Sequence, residues 1–196
     1  MKIIEDKAQK RGLHAIKHNR FKQLGVELLE YPLPCGDYIL VNDKVQDLLD
    51  RKAKRGIEPK KMDFLGTYTK VVDTKQDIQE LISDICGKQH ERFRDECILA
   101  KNNGIKLYIL VENRGQTVNE KKGVVNPTIT NVRELHKWVN PRLWISRNGK
   151  QLYPTATKGI TLQKACLTMQ EKYGVRFLFC TPEESADKII ELLEEK

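Results

Sequence analysis

Long apolar runs are missing from this 196-residue sequence, and no stretch reaches the roughly 18 consecutive apolar residues that a membrane-spanning helix needs. The amino terminus, MKIIEDKAQKR, also has no apolar core of signal-peptide length. We therefore expect no membrane association and a cytoplasmic location.

Cysteine and aromatic residues are scarce as well. Aromatic residues make up 7% of the chain, although the 39% hydrophobic share is ordinary for a soluble globular protein. The cysteines are odd in number and form no Cys-x-x-Cys pair, which argues against a zinc cluster and a disulfide framework. We expect reduced, mostly buried thiols at Cys35, Cys86, Cys97, Cys166 and Cys180.

Positive charge, by contrast, is in excess. The formal net charge is +8, and phosphate backbones are the commonest partners of such a surface. A lysine-rich surface that only aids solubility explains the same composition. Composition alone leaves both interpretations open.

Strands and helices alternate along most of the chain. Residues 67–73 (TYTKVVD) and 106–112 (KLYILVE) are predicted to be strands on either side of a helical stretch that Gly87 divides. The last helix is predicted to begin with Thr181 as its N-cap. This order predicts an α/β fold of three layers, in which helices flank a mixed central sheet.

The early part of the chain has a different pattern. Residues 26–33 (VELLEYPL) and 38–41 (YILV) flank a glycine turn, which predicts a β-hairpin. Residues 42–66 and 113–159 look like insertions. We expect one domain over residues 1–196, because a chain of this length can bury a single full core.

Two aspartates and a lysine are the candidate catalytic residues. Asp37 follows the glycine turn, Asp73 closes a strand, and Lys75 points to the same face as Asp73 because side chains alternate along a strand. If the two strands pair, both carboxylates can bind one hard divalent cation, and the lysine can orient water or stabilise negative charge. Asp37 as a turn acid and Asp73 as a helix N-cap explain the same spacing.

Further polar residues extend this candidate site. Glu5, at the end of the first strand, is a candidate third metal ligand, with Asp6 as the alternative one residue later. A polar and basic cluster on the helical stretch can grip phosphates, or can simply be a solvated helix face. Its members are Lys88, Gln89, His90, Arg92 and Arg94.

Four segments, in the same order, resemble the nuclease domain of the XPF-type structure-specific endonucleases of the PD-(D/E)XK superfamily. They are FKQLGVELLEYPLPCGDYIL, VVDTK, LYILVE and YGVRFLFCTPEESADKIIELL. That family has a Gly-Asp pair, followed later by Glu-Arg-Lys and then by another acid. Gly36 and Asp37 match the pair, and Asp73 and Lys75 match the second element, with Thr74 in place of the arginine.

The chain departs from the family pattern at two further places. The last acid falls at Gln79, which has Asp77 and Glu80 as neighbours. In the amino-terminal Asp-x-Arg-Glu element, Glu5 and Lys7 match conservatively, whereas the glutamate is replaced by an alanine. The resemblance thus assigns Glu5 to the metal site and Lys7 to DNA binding.

The resemblance implies a restriction-endonuclease-like core and cleavage of DNA that depends on Mg²⁺ or Mn²⁺. The sequence ends after the last helix, so we expect no tandem helix-hairpin-helix module, as in small bacterial or phage proteins. A homodimer, or a partner subunit needed for activity, stays open. So does a catalytically silent DNA-binding module, because family positions that are charged in relatives are uncharged here.

Overall fold

A six-stranded mixed sheet forms the centre of the structure, a computed structural model that describes residues 1–9 and 14–195. The strands are β1 (Lys2–Asp6), β2 (Glu27–Tyr31), β3 (Tyr38–Leu40), β4 (Lys70–Lys75), β5 (Lys106–Glu112), β6 (Gln116–Asn119), β7 (Val124–Asn126), β8 (Ser146–Arg147), β9 (Lys150–Gln151) and β10 (Arg176–Cys180). The central sheet has the order β10-β5-β4-β3-β1-β2. Strands β4, β5 and β10 run parallel, and β3 runs antiparallel to both of its neighbours.

Helices cover both faces of this sheet, which confirms the predicted three-layer α/β fold. They are α1 (Ala15–Gln23), α2 (Asp43–Lys54), α3 (Ile78–Cys86), α4 (His90–Asn102), α5 (Gly159–Tyr173) and α6 (Ser185–Glu194). Helices α2 to α5 pack on one face, around Val71 and Ile109, while α1 and α6 pack on the other, around Val72 and Tyr108. Successive apolar side chains of β4 and β5 therefore pack alternately into two separate hydrophobic cores, one on each face of the sheet.

The predicted β-hairpin is wrong. Strand β2 pairs in parallel with β1, and β3 pairs with the other side of β1, so β1 separates the two segments. The turn signal at Gly36 is genuine, since its φ is +65°. It leads β3 toward β4, because Tyr38 pairs with Val72. Local turn chemistry thus marks a reversal of the chain without fixing which strand becomes the neighbour.

Helix boundaries mostly follow the sequence signals. The long periodic stretch is divided at Gly87 into α3 and α4, as predicted. The last helix begins later than predicted, at Ser185, because residues 182–184 form a turn. Thr181 donates through its hydroxyl and its backbone N–H to the carboxylate of Glu184, which closes the turn that leads into α6.

The segment after β5 forms two small antiparallel hairpins, β6–β7 and β8–β9, with three short 3₁₀ helices. Residues 42–66 form α2 and another short 3₁₀ helix. The assignment of both segments as insertions stays a prediction. Among the residues that the structure describes, every helix is too short or too polar to cross a bilayer.

Candidate active site

Antiparallel pairing of β3 with β4 brings the two predicted aspartates together. Asp37 precedes β3, and its backbone N–H donates to the carbonyl oxygen of Val72 at 2.9 Å. Asp73 is the next residue of β4, and its side chain points to the same side of the sheet as that of Val71. The two carboxylates line one cleft and are both buried. The prediction that these strands pair is therefore confirmed.

Asp37 is held by Thr74, the residue that replaces the family arginine. Its Oδ2 accepts hydrogen bonds from the backbone N–H and from the hydroxyl of Thr74, both at 2.7 Å. Two donors on one oxygen fix the orientation of the carboxylate and leave Oδ1 for another partner. Thr74 thus positions an acid at a place where an arginine would supply charge.

Lys75 lies between two carboxylates. Its Nζ is 2.7 Å from Oδ2 of Asp73 and 2.8 Å from Oδ2 of Asp84, a residue of α3. Burial by itself would lower the pKa of Lys75, but the carboxylates of Asp73 and Asp84 outweigh it and raise the pKa above its usual range. The side chain therefore carries its proton at neutral pH. It can donate hydrogen bonds and stabilise negative charge, but it cannot act as a general base.

Glu96 of α4 is a site residue that the sequence pattern does not reveal. Its Oε1 accepts a hydrogen bond from the backbone N–H of Gly36 at 2.6 Å, so it bridges α4 to the turn before Asp37. Burial raises the pKa of Glu96, and the negative charge of Asp37 adds to this effect. No local motif marks this residue, because only the packing of α4 against the sheet brings it to the cleft.

Asp84 is also absent from the sequence prediction, although a signal for it exists. It falls within the apolar stripe of α3 formed by Ile78, Leu81, Ile82 and Ile85, and it is 3% exposed. A charged residue on the buried face of a helix needs a partner, which here is Lys75. Asp73 and Asp84 thus share one ammonium group, and the alternative that Asp73 is the N-cap of the following helix is wrong, because Asp73 lies within β4. The N-cap of α3 is Asp77, which accepts from the N–H of Glu80.

The assignment of Glu5 to the metal site is corrected by the register of β1. Glu5 pairs with Tyr38, and its Oε1 accepts from the Tyr38 hydroxyl at 2.5 Å and contacts His18 Nε2 at 2.8 Å, on the face opposite to the cleft. Asp6, one residue later, lines the cleft. Burial raises the pKa of Asp6, and the nearby Asp37 raises it further. The alternative that the sequence left open is therefore the one that the geometry favours.

The predicted DNA-binding residues are dispersed. Arg92 lines the cleft, and its guanidinium lies 3.6 Å from Asp84. Lys88, Gln89 and His90 are exposed at the junction between α3 and α4 and do not line the cleft. Lys7 is exposed and lies near Glu5, at a smaller neighbouring pocket. Of this set, only Arg92 shares the cleft with Asp37 and Asp73.

The cleft itself has a volume of about 970 Å³ and is bordered by both signs of charge. Its acids are Asp6, Asp37, Asp73, Asp77, Glu80, Asp95 and Glu96, and its cations include Lys61, Arg92 and Arg142. Asp6, Asp37 and Asp73 lie on or beside strand ends, whereas the other four acids lie on or cap helices α3 and α4.

A family model, the ERCC4 domain, matches residues 5–192 of the sequence. The chain belongs to the ERCC4 domain family. This confirms the resemblance to the XPF-type nuclease domain that the four sequence segments indicated. The match begins within β1 and ends within α6, so it includes the other five strands of the central sheet and both cleft aspartates, Asp37 and Asp73.

Two solved structures have the same fold as this ERCC4 domain. They are XPF from Aeropyrum pernix, with a TM-score of 0.52, and the same protein in complex with DNA, with a TM-score of 0.51. Both are 16% identical to this chain and match 98% of it. The chain spans 63% and 62% of the lengths of those two structures. No curated protein sequence is significantly similar to the chain.

The donor set of the ERCC4 domain suits a hard cation, although its side chains are not arranged around one. Burial, together with the charges of Asp37 and Glu96, raises the pKa of Asp73 well above its usual range, despite the opposing effect of Lys75. Oδ2 of Asp73 is buried and has no well-directed hydrogen bond within residues 1–9 and 14–195. In the same residues, no group of three or more acids, histidines or cysteines has metal-ligating geometry. Mg²⁺ needs only one or two carboxylates when waters complete its shell.

Proposed function

We propose that this protein is a metal-dependent endonuclease that hydrolyses phosphodiester bonds in DNA. The observation that carries the proposal is the meeting of Asp37 and Asp73 in one cleft beside the ammonium group of Lys75. The charge of Asp37 helps to raise the pKa of the buried Asp73, and a cation between the two carboxylates would relieve this repulsion. The ERCC4 family membership supports the same reaction class.

Each residue of this cluster has a defined task. Asp37 and Asp73 would hold Mg²⁺ or Mn²⁺, and Glu96 would add negative charge from α4. When bound, the ion activates water and neutralises charge on the phosphate. Lys75 keeps its proton and stabilises the negative charge that develops on the phosphate oxygens. Thr74 fixes Asp37 through two hydrogen bonds, so the carboxylate needs little reorganisation.

DNA is the proposed substrate, and branched or flapped structures are the proposed targets. Arg92 and Arg142 lie at the border of the cleft, where their guanidinium groups can bind phosphates on either side of the scissile bond. The structural neighbour from Aeropyrum pernix in complex with DNA supports this assignment. The preference for branches rests on the resemblance to XPF-type nucleases.

The test is the replacement Asp73→Asn, which keeps the size of the side chain and removes its charge. Loss of a metal-binding carboxylate should lower nicking of a forked duplex in Mg²⁺ or Mn²⁺ by about 100-fold or more, since even outer-shell partners of metal sites cost about 10- to 100-fold. Asp47→Asn, on the exposed face of α2, is the matched control and should cleave normally. Full activity of the Asp73 variant would contradict the assignment.

A second candidate function is a DNA-binding module without catalysis. Two contacts favour it: Thr74 donates a hydrogen bond to Oδ2 of Asp37, and Asp84 forms an ion pair with Lys75. This candidate predicts salt-dependent DNA binding with no cleavage in either metal, and turnover by stoichiometric wild-type protein would rule it out.

A partner-dependent nuclease predicts that cleavage appears only after a second subunit, or a second copy of the chain, is added.

A further inference from the structure

Nearly all of the net positive charge of the protein lies in one stretch of the chain, residues 113–158. These 46 residues contain nine lysines and arginines and two glutamates, which accounts for seven of the eight net charges. The other 150 residues have 26 cations and 25 acids and are almost neutral. A surface whose charge only aids solubility would not need this segregation, because dispersed charges serve that purpose equally well.

Most cations of this segment form no ion pair with the residues that the structure describes. All nine are exposed, and ion pairs among the described residues involve only Arg114, with Glu183, and Lys137, with Glu134. The other seven are Lys121, Lys122, Arg133, Arg142, Arg147, Lys150 and Lys158. Their charges therefore contribute little to holding the fold, and the segment tolerates their mutual repulsion.

Buried asparagines hold the segment in one shape. Asn113 donates to and accepts from the backbone of Ile129, and Asn126 does the same with the backbone of Val139. Asn140, which is 1% exposed, donates to Thr157 and accepts from Gln79 of α3. These side chains replace missing ladder partners, so the hairpins present their cations on an ordered scaffold. Pre-organised cations lose less entropy on binding than cations on a flexible loop.

The segment leaves the sheet at the edge where the cleft lies. Strands β4 and β5 are parallel, and Lys75 pairs with Val111, so the end of β5 is next to the catalytic lysine. Arg142 of the segment lines the cleft. Lys122 packs over the ring of Trp144, 5.0 Å from its centroid, which connects the β6–β7 hairpin to the approach to β8–β9. The basic segment therefore reaches the cleft through Arg142.

We propose that residues 113–158 form a second DNA-binding surface, which holds the phosphate backbone of a duplex next to the cleft. The inference rests on the proposed function, because it names what holds the substrate outside the catalytic centre. The exposed cations meet phosphates as point charges, so this surface binds without reading sequence.

The test is a charge-neutralised variant, Lys121→Gln, Arg133→Gln, Arg147→Gln and Lys150→Gln combined, none of which lines the cleft. Binding to a labelled duplex is measured in EDTA over a series of salt concentrations. Each lost phosphate contact lowers the slope of log affinity against log salt by about 1, so we expect a decrease of about 2 to 4 and at least tenfold weaker binding. Because all four residues are exposed, the melting temperature should not change.

The matched control neutralises Lys2, Lys22, Lys101 and Lys172 to glutamine. These exposed lysines lie at the starts of strands or at the ends of helices that lead into strands, on the edge opposite to the cleft. The control removes the same charge and should keep the wild-type salt slope. Equal losses in both variants, or no loss in the test variant, would overturn the inference. Tighter binding of the wild type to an RNA duplex or to polyglutamate than to DNA would also overturn it.

The two proposals fail in distinguishable ways. Normal binding by the charge-neutralised variant, together with lost cleavage in Asp73→Asn, would keep the nuclease and remove the second surface. Weak binding by the charge-neutralised variant, together with a wild type that never cleaves, would keep the surface and remove the nuclease. The use of EDTA makes the binding result independent of catalysis.

Discussion

Gly36 offers a quantitative test of how the cleft is built. Its φ of +65° lies in the left-handed region, and a Cβ added there would meet Cγ2 of Val71 at 2.2 Å. Gly36→Ala therefore combines a left-handed backbone cost of about 1–2 kcal/mol with an overpacking cost of about 1–3 kcal/mol. We expect the free energy of unfolding to fall by about 2–5 kcal/mol, the sum of these two costs.

A matched glycine separates the two costs. Gly25 has a φ of +68° and nothing within 4 Å of an added Cβ, so Gly25→Ala carries only the backbone cost. Unfolding in urea should therefore show that Gly36→Ala is worse than Gly25→Ala by about 1–3 kcal/mol. Equal losses in the free energy of unfolding for the two variants would contradict a steric clash between the added Cβ and Val71.

A double mutant identifies the atom responsible. Val71→Ala removes Cγ2, so the overpacking cost of Gly36→Ala should disappear when both changes are present. The double variant should then be more stable than the sum of the single effects predicts, with a coupling energy of about 0.5–3 kcal/mol. Strict additivity would mean that the strain at Gly36 lies entirely in its own backbone.

Two further predictions concern groups that have no role in the proposed reaction. Lys17 is 2% exposed and pairs with the partly buried Glu112 at 2.9 Å. Lys17→Met should lower the free energy of unfolding in urea by about 3–5 kcal/mol, because the Glu112 carboxylate loses its partner, and adding Glu112→Gln should recover most of this loss. A double variant as unstable as the single one would refute this. Alkylation of the native protein followed by mass spectrometry should label Cys86, the exposed cysteine, well before the others. The other four, Cys35, Cys97, Cys166 and Cys180, are buried, and burial raises the pKa of their thiols, that of Cys35 to about 11, so they stay protonated. Equal labelling of all five cysteines would contradict this packing.

Asp84 and Glu96 show what limits a prediction of the site from sequence. Both residues belong to helices, and neither stands at a fixed spacing from the acids on the strands. Glu96 lines the cleft and Asp84 pairs with Lys75 because α3 and α4 pack on one face of the sheet, and that packing depends on contacts far apart in sequence. An acidic residue on a helix can be recognised as a site candidate from sequence only when it interrupts an apolar stripe, as Asp84 does.

The choice between Glu5 and Asp6 shows a second limit. Adjacent residues of a strand face opposite sides of the sheet, so a shift of one residue in register would turn a side chain from the cleft toward the core on the other face. The sequence places both acids at the end of β1, but the register against β3 decides between them, since Glu5 pairs with Tyr38 and shares its side of the sheet. Register depends on two paired strands, so the sequence of one strand alone cannot predict it.

The sequence by itself determined the layered α/β class, the division of the long helix at Gly87, and the identity of Asp37, Asp73 and Lys75 as neighbours in a site. These features follow from local periodicity, helix breakers and side-chain alternation, which act over a few residues. Only the tertiary structure decided that β1 lies between β2 and β3, that Asp6 rather than Glu5 faces the cleft, and that Asp84 and Glu96 join it. Each of these depends on which distant segments pack together, because burial and strand pairing are energies of the whole fold.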